Sequence, residues 1–156
     1  MITIRNTQRK VAIDLVKLQG DAECILNKLR YANYDLGILI VNDAAMRAYN
    51  KQYRDKDKPT DILSFPYHTD LQPGQRIKPS SPDDKNLGDI IIDAPYVVRE
   101  AQELGVGLDD RLRVLLVHGI YHLLGYDHMT DAEYALMHKK EKAMLKYLAL
   151  HLGVVA

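Results

Sequence analysis

Four short apolar segments predict the strands of a β-sheet. Residues 2–5 alternate between apolar and polar side chains, as a strand with one buried face does. Residues 36–41 form a nearly continuous apolar run, which predicts a strand that is buried on both faces. Residues 62–67 and 89–93 are the remaining two strands. The chain is therefore expected to build one small sheet.

Helical spacing of apolar residues between capping residues predicts five helices. The spacing in the first is i, i+3, i+7, and the fourth, at residues 111–124, is rich in leucine and valine. The other boundaries are Asp14 before the first helix, Asn42 or Asp43 before the second, Pro95 and Gly105 around the third, and the capping box of Thr130 and Glu133 at the start of the fifth. The second helix is expected to run to about residue 53.

The resulting order of elements is βαβαββααα, which predicts an α/β (α+β) fold. Each of the two strand–helix–strand crossovers predicts parallel pairing, whereas the helix-free connection between the third and fourth strands predicts one antiparallel edge. We therefore expect a single mixed sheet of four strands, three parallel and one antiparallel, with about five helices packed on it. Residues 1–156 are expected to form one domain without internal repeats.

A polar segment at residues 68–87 separates the last two strands. It contains Pro73, Pro79 and Pro82 and is too long for an ordinary hairpin loop. Two interpretations are open, a flap that covers a functional site and an inert surface loop. The sequence favours the inert loop.

Composition and charge set limits on the function. The formal net charge is zero, so a nucleic-acid partner cannot be inferred from the global charge. A local run is basic, since Arg47, Lys51, Arg54, Lys56 and Lys58 outnumber Asp55 and Asp57. The single cysteine, Cys24, excludes an internal disulfide and is typical of a reducing compartment. No apolar run reaches transmembrane length and no signal-peptide core is present, so a cytoplasmic protein without membrane association is expected.

Three histidines in eleven residues indicate a metal site. His118 and His122 lie four residues apart on the predicted fourth helix, so their imidazoles share one face. Gly125 suits the helix end, and the turn that it permits can bring His128 to the same point. Three nitrogen ligands with an open fourth position are typical of a catalytic zinc ion, one per chain. Nickel and copper also bind such ligand sets.

The spacing of these histidines equals that of the metzincin peptidases, H-E-x-x-H-x-x-G-x-x-H, which predicts a zincin-like metal helix. Gly119 stands where those enzymes carry the glutamate that activates water. A glycine inside a helix costs about 1 kcal/mol relative to alanine, so its small size should serve a purpose. Close packing on the sheet and close approach of a substrate are both open.

The stretch H-G-I-Y-H-L-L-G-Y-D-H at residues 118–128 resembles the signature of the YbeY family, H-G-x-x-H-L-x-G-Y-D-H. Residues 50–66, N-K-Q-Y-R-D-K-D-K-P-T-D-I-L-S-F-P, are similar to a second family segment, and residues 87–90 match its L-G-D-I. The family consists of metal-dependent endoribonucleases implicated in ribosomal RNA maturation. The resemblance runs from about residue 35 to residue 148.

This resemblance implies a single-strand-specific, zinc-assisted endoribonuclease that acts in ribosomal RNA processing. It implies catalytic roles for Arg54, His118, His122 and His128, with the three histidines as metal ligands. A guanidinium can clamp a phosphate bidentately, so Arg54 is expected to face the scissile phosphate. Ribosomal RNA is the implied partner, together with ribosomal particles or ribosome-associated proteins. Organellar members of the family leave a mitochondrial or other organellar location open beside the cytoplasmic one.

Two alternative functions remain open. A zincin-type peptidase or other metallohydrolase shares the three-histidine geometry, and a zinc-stabilised ribosome assembly factor needs no catalysis. Glu141 and Asp127 are candidate partners of the metal-binding imidazoles, although a solvent-exposed Glu141 and a turn-forming Asp127 are favoured. Water or the RNA's own 2′-OH can be the nucleophile, and the sequence does not identify the general base or the oligomeric state.

Overall fold

The computed structural model describes residues 1–153. The strands are β1 (Ile2–Asn6), β2 (Asp35–Val41), β3 (Ile62–Pro66) and β4 (Asn86–Asp93). The helices are α1 (Leu15–Leu29), α2 (Asp43–Arg54), α3 (Ala94–Leu104), α4 (Leu108–Leu123) and α5 (Asp131–Leu152), with a 3₁₀ turn at Pro82–Asp84. Within residues 1–153, no helix combines the length and the apolar character needed to cross a membrane. The predicted order of elements is confirmed, and the last three residues of the expected domain, 154–156, lie outside the described part.

The four strands form one sheet in the order β1-β2-β4-β3. β1, β2 and β4 are parallel, and β3 lies antiparallel to β4 at the edge. The mixed sheet with three parallel strands and one antiparallel strand is therefore confirmed. The parallel pairing expected from the second crossover is wrong, because β4 lies between β2 and β3. After α2 the chain returns to the end of the sheet where β2 stopped, so β3 starts beside the end of β4, where Ile62 pairs with Ile92.

Side-chain caps define the starts of the helices. Asp14 accepts a hydrogen bond from the backbone amide of Lys17, and Asn42 accepts one from Ala45. Thr130 accepts one from Glu133. Each cap satisfies an amide that has no partner inside its helix, which fixes where the helix begins.

The two faces of the sheet are covered unequally. Helices α1, α4 and α5 bury one face, on which Leu36, Ile38 and Ile40 of β2 are almost fully enclosed. On the opposite face a smaller cluster forms beneath α2, and Leu39 of β2 is only partly buried there. The prediction that β2 is buried on both faces is therefore confirmed for the first face, and on the second face it holds at Val41 but not at Leu39. The other face leaves an open groove beside α2.

A buried ion pair anchors the histidine-bearing helix. Arg113 of α4 donates two hydrogen bonds to Asp21 of α1, at 2.9 and 3.1 Å. Its remaining nitrogen donates to the carbonyl oxygen of Gly153 at 2.9 Å. Because both charges are buried, loss of either partner would leave the other without compensation.

Asp93 is a buried carboxyl group at the N-terminus of α3. One oxygen accepts a hydrogen bond from the Tyr96 amide at 3.2 Å, whereas Oδ2 finds no partner among residues 1–153. Burial, and secondly the nearby Asp43 carboxylate, raise the pKa of Asp93 to about 7. Asp43 is itself paired with Arg99, at 2.9 and 3.1 Å.

Replacing Asp93 by asparagine is expected to stabilise the protein at neutral pH. The pKa of Asp93 is about 7 in the folded wild type, against an ordinary value of 3.8. Between these two pH values the folded protein keeps a proton on Asp93 that the unfolded chain has released. The free energy of unfolding therefore falls as the pH rises through this window. Asparagine still accepts the capping hydrogen bond but has no proton to lose. The free energy of unfolding at pH 8 should therefore be roughly 1–3 kcal/mol higher than that of the wild type. Denaturant unfolding at pH 5 and pH 8 measures both effects.

The exchange Asp14→Asn is the matched control, because it alters an exposed cap in the same way. It should change neither the stability nor its pH dependence appreciably. An Asp93→Asn protein with the wild-type pH dependence would contradict the assignment.

Candidate metal centre

The chain reverses direction directly after α4, and this turn brings the third histidine to the first two. Gly125 has a φ angle of 92°, in the left-handed region that favours glycine. A Cβ atom at this position would collide with the carbonyl oxygen of Leu71. Gly125 therefore meets both demands of the turn, a positive φ and a close approach of the segment that precedes β4.

The three histidines converge as the sequence predicts. One ligand atom from each of His118, His122 and His128 can be chosen so that all three lie within 4.8 Å of one another. The Nε2 atoms of His118 and His122 are 3.0 Å apart. The ring of His128 lies 5.5 Å from that of His118 and 5.0 Å from that of His122, between centroids.

Hydrogen bonds at the opposite ring nitrogens fix the tautomers of two of these imidazoles. Nδ1 of His122 lies 2.9 Å from the carbonyl oxygen of Tyr126, which can only accept, so Nδ1 carries the proton. Nδ1 of His118 lies 3.0 Å from a carboxylate oxygen of Glu141. Both Nε2 atoms therefore present lone pairs to each other across 3.0 Å. Such a contact is repulsive unless a cation lies between them, so the residues fit a metal ion.

The electrostatics of the site keep His122 available as a ligand. Burial, and secondly the neighbouring His118, lower the pKa of His122 to about 4. The imidazole is therefore neutral at pH 7 and needs no deprotonation before it binds a metal ion. His128 is exposed at the mouth of the site, while the other two histidines are partly buried.

Glu141 differs from the favoured interpretation of the sequence. Instead of turning to solvent or to a lysine, its carboxylate accepts the hydrogen bond from His118 and is mostly buried. The favoured solvent-exposed placement was therefore wrong. The signal in the sequence was a glutamate that interrupts the apolar face of α5, four residues after the buried Met137.

Replacing Glu141 by glutamine is expected to weaken metal binding about 10- to 100-fold, since carboxylates that orient metal-binding imidazoles commonly contribute this much. Glutamine preserves the volume and an acceptor oxygen but loses the negative charge. Competition against a chelator of known affinity gives the dissociation constant. Glu103→Gln, on an exposed part of α3, is the control and should bind metal as the wild type does. Equal affinities for both variants would show that Glu141 has no role at the site.

Arg54 lies on the same cavity as the histidines. The cavity has a volume of about 810 Å³, and its lining includes Arg54 together with His118, His122 and His128. Arg54 is the last residue of α2, and its guanidinium lies 3.4 Å from the carbonyl oxygen of Ser64 on β3. Within residues 1–153 it makes no ion pair, whereas Arg47 of the same helix pairs with Asp57 at 2.7 Å. The structure thus brings together all four site residues predicted from the sequence.

The segment between β3 and β4 forms one wall of this cavity. Leu71, Gln72 and Pro73 line the cavity opposite β3. The segment is anchored by Arg76, which donates to the carbonyl oxygens of Leu29 and Arg30 at 2.6 and 2.9 Å, and by the buried Ile77. The segment is therefore part of the cavity wall, and a functional role for it stays a prediction. His68, which begins this segment, also lines the cavity.

The remaining candidates have structural contacts. A Cβ on Gly119 would lie 2.9 Å from Ile62 and 3.0 Å from Ile90, so its small size allows α4 to pack closely on the sheet. Asp127 accepts a hydrogen bond from the backbone amide of His128 at 2.7 Å and lines the cavity. Ser64 lines the cavity beside Arg54.

The geometry defines a class of protein: an α/β protein whose helix and following turn carry three histidines that can hold a metal ion, beside a cavity lined by an arginine that makes no ion pair within residues 1–153. A family model described as Endoribonuclease YbeY matches residues 3–149. The chain belongs to the YbeY family.

Two relatives support this assignment over nearly the whole chain. A human protein named Endoribonuclease YbeY is 40% identical over 152 residues, which cover 97% of this chain and 90% of the relative. A protein of the same name from Finegoldia magna is 34% identical over 156 residues and covers 97% and 95%. A solution structure of a Thermotoga maritima protein has the same fold, with a TM-score of 0.64 at 23% identity over 97% of this chain and 91% of that one. None of these matches favours the peptidase or the assembly-factor alternative.

Proposed function

We propose that this chain is a metal-dependent endoribonuclease that cuts single-stranded RNA and takes part in ribosomal RNA processing. The observation that carries the proposal is the shared cavity, whose lining includes three converging imidazoles and an arginine that has no carboxylate partner among residues 1–153. A cation site opposite a free guanidinium suits the two negatively charged oxygens of a phosphodiester. Membership of a family whose relatives are named endoribonucleases supports the same substrate.

His118, His122 and His128 would hold one metal ion, and zinc suits three neutral imidazoles best among the abundant metals. When bound, the ion would supply Lewis acidity at a phosphoryl oxygen, at water, or at both. The protein's own contribution is orientation. Glu141 and the Tyr126 carbonyl hold the imidazoles of His118 and His122 with their Nε2 lone pairs turned to each other, which reduces the ordering needed on binding.

Arg54 would bind the scissile phosphate and neutralise the charge that develops on it. Its position at the end of α2 keeps the guanidinium at the rim of the cavity, and its contact with the Ser64 carbonyl restricts its orientation. Arginine suits this role because its planar fork matches two phosphate oxygens. Lysine would supply charge without that geometry.

The nucleophile can be water or the adjacent 2′-OH of the RNA, and the product ends distinguish them. Attack by the 2′-OH leaves a cyclic phosphate or a 3′-phosphate with a 5′-OH, whereas direct hydrolysis can leave a 5′-phosphate. Ribosomal RNA and ribosomal particles are the proposed partners. The cytoplasm is the proposed compartment, with a mitochondrial or other organellar location as the alternative.

The test is cleavage of an end-labelled ribosomal RNA fragment by the purified protein. The protein is assayed as the zinc form, after metal removal, and after zinc is restored. Cleavage that is lost and regained with the metal, and that is confined to single-stranded regions, is the expected result. Undiminished cleavage after complete metal removal would overturn the metal-dependent mechanism. Absence of cleavage by the zinc form, alone or with ribosomal particles, would overturn the proposed activity.

A further inference from the structure

An aromatic groove lies on the face of the sheet opposite the histidines. Its volume is about 830 Å³, its floor is formed by β2 and β4, and one wall is the face of α2 that carries Tyr49 and Tyr53. Phe65 of β3 projects into the same groove. This is the part of the sheet that the helices leave uncovered.

Tyr53 is an exposed ring held in a fixed orientation. The residue is 55% exposed, although two aromatic neighbours contact it. Its ring lies roughly parallel to that of Tyr49, with centroids 6.4 Å apart at 16°. The ring of Phe65 meets it edge-on, with centroids 5.1 Å apart at 66°. A large aromatic surface that remains open to solvent while its orientation is fixed is well suited to stacking against another planar ring.

Tyr53 and Arg54 face the two sides of one edge strand. Along β3, Ser64 faces the histidine cavity and Phe65 faces the groove, as successive residues of a strand do. At the end of α2, Tyr53 packs on Phe65 while Arg54 reaches round to the Ser64 carbonyl. The two side chains therefore contact neighbouring residues of β3, Phe65 and Ser64, on either side of the same edge strand.

We propose that Tyr53 is a stacking platform for a nucleobase of single-stranded RNA, next to the phosphate bound by Arg54. The inference rests on the proposed function and names the feature that selects unpaired RNA. A base can leave its own strand and stack on a protein ring only where it is not held in a duplex. The strand would pass round the free edge of β3, with the phosphate on the cavity side and the base on the groove side.

Charged groups of both signs line the groove. Asp89 lies on the floor over Gly37 and repels a phosphate there. Asp35, further along, is paired with the terminal amino group at 2.7 Å. Arg5 also lines the groove, so the stacking site is placed by geometry, through the contacts of Tyr53 and Arg54 with neighbouring residues of β3.

The experiment compares Tyr53→Leu and Tyr53→Phe in the zinc form of the protein. Leucine keeps apolar bulk against Phe65 but removes the flat ring, so KM for a short single-stranded RNA should rise about 5- to 100-fold with kcat nearly unchanged. Phenylalanine should behave as the wild type. Tyr134→Leu is the matched control, because Tyr134 is 57% exposed and stacks on His138 outside both cavities. Thermal melting verifies that each variant is folded.

A substrate that lacks one base locates the contact. Removing the base beside the cleaved bond should raise KM of the wild type by the same factor as Tyr53→Leu does. The Tyr53→Leu protein itself should have the same KM for the intact RNA and for the RNA that lacks the base. If the missing base and Tyr53→Leu raised KM by factors that multiply when the two are combined, the stacking role would be overturned. The same holds if Tyr53→Leu and Tyr134→Leu cut intact RNA with the same KM. Neither outcome would contradict the proposed ribonuclease activity. If the wild type bound and cut no RNA, both proposals would fail together.

Discussion

Replacing His122 by alanine should abolish metal-dependent RNA cleavage and leave the protein unable to retain zinc. The side chain supplies a ligand that is fixed by the Tyr126 carbonyl and neutral at pH 7, since burial lowers its pKa to about 4. With two imidazoles left, the site loses both affinity and the enforced geometry. Metal catalysis contributes several kcal/mol of transition-state stabilisation and each 1.4 kcal/mol is a factor of ten, so kcat/KM should fall about a thousandfold or more.

Metal content and cleavage should be measured on the same preparation, with melting curves to show that the variant is folded. His138→Ala is the control, since His138 lies on α5 and stacks on Tyr134, away from the three ligands. It should keep its zinc and its activity. If His122→Ala cut RNA as fast as the wild type, the cleavage would not come from this metal site and a contaminating nuclease would be the first explanation.

Reversing the charge of Arg54 is expected to reduce kcat/KM about 10²- to 10³-fold without loss of metal. This is the usual effect of removing one charged or hydrogen-bonding group that stabilises a transition state in a site shielded from water. Arg54→Glu also places a negative charge where the phosphate should lie. Arg54→Lys should recover part of the rate, because an ammonium keeps the charge and loses the bidentate geometry.

Lys51→Glu is the appropriate comparison for Arg54→Glu. It makes the same kind of charge reversal in the same last turn of α2, and Lys51 does not line the cavity. A general loss of RNA affinity from reduced positive charge would appear in both variants. Equal losses would assign Arg54 to non-specific attraction, and wild-type cleavage by Arg54→Glu would remove it from the site altogether.

The features that the sequence predicted correctly are those encoded by neighbouring residues. His118 and His122 share a helical face because of a spacing of four, and Gly125 allows the turn that brings in His128. The caps at Asp14 and Thr130 likewise depend on amides three residues away. Alternation and apolar runs predicted the four strands, since these patterns follow from the geometry of the strand itself. The antiparallel edge was predicted from the helix-free connection between β3 and β4, which are consecutive in the chain.

The features that were missed depend on residues distant in the chain. The insertion of β4 between β2 and β3 follows from the path of the segment after α2, which carries no periodic signal. Glu141 reaches His118 only because α4 and α5 pack together, and 22 intervening residues separate them. The cavity wall that includes Leu71 was missed for the same reason. A polar segment that contains prolines has the same sequence pattern whether it is a free loop or is anchored to the rest of the protein.

The turn at Gly125 makes the three-histidine cluster local in the chain, whereas the rest of the cavity is not. All three imidazoles lie within eleven residues, so bringing them together closes only a short loop and costs little chain entropy. Arg54 and Tyr53 belong to a distant part of the chain and join the site only when the sheet is assembled. The three histidines are therefore assembled by contacts that are short-range in sequence, whereas the cavity that Arg54 completes depends on long-range contacts, which form more slowly during folding.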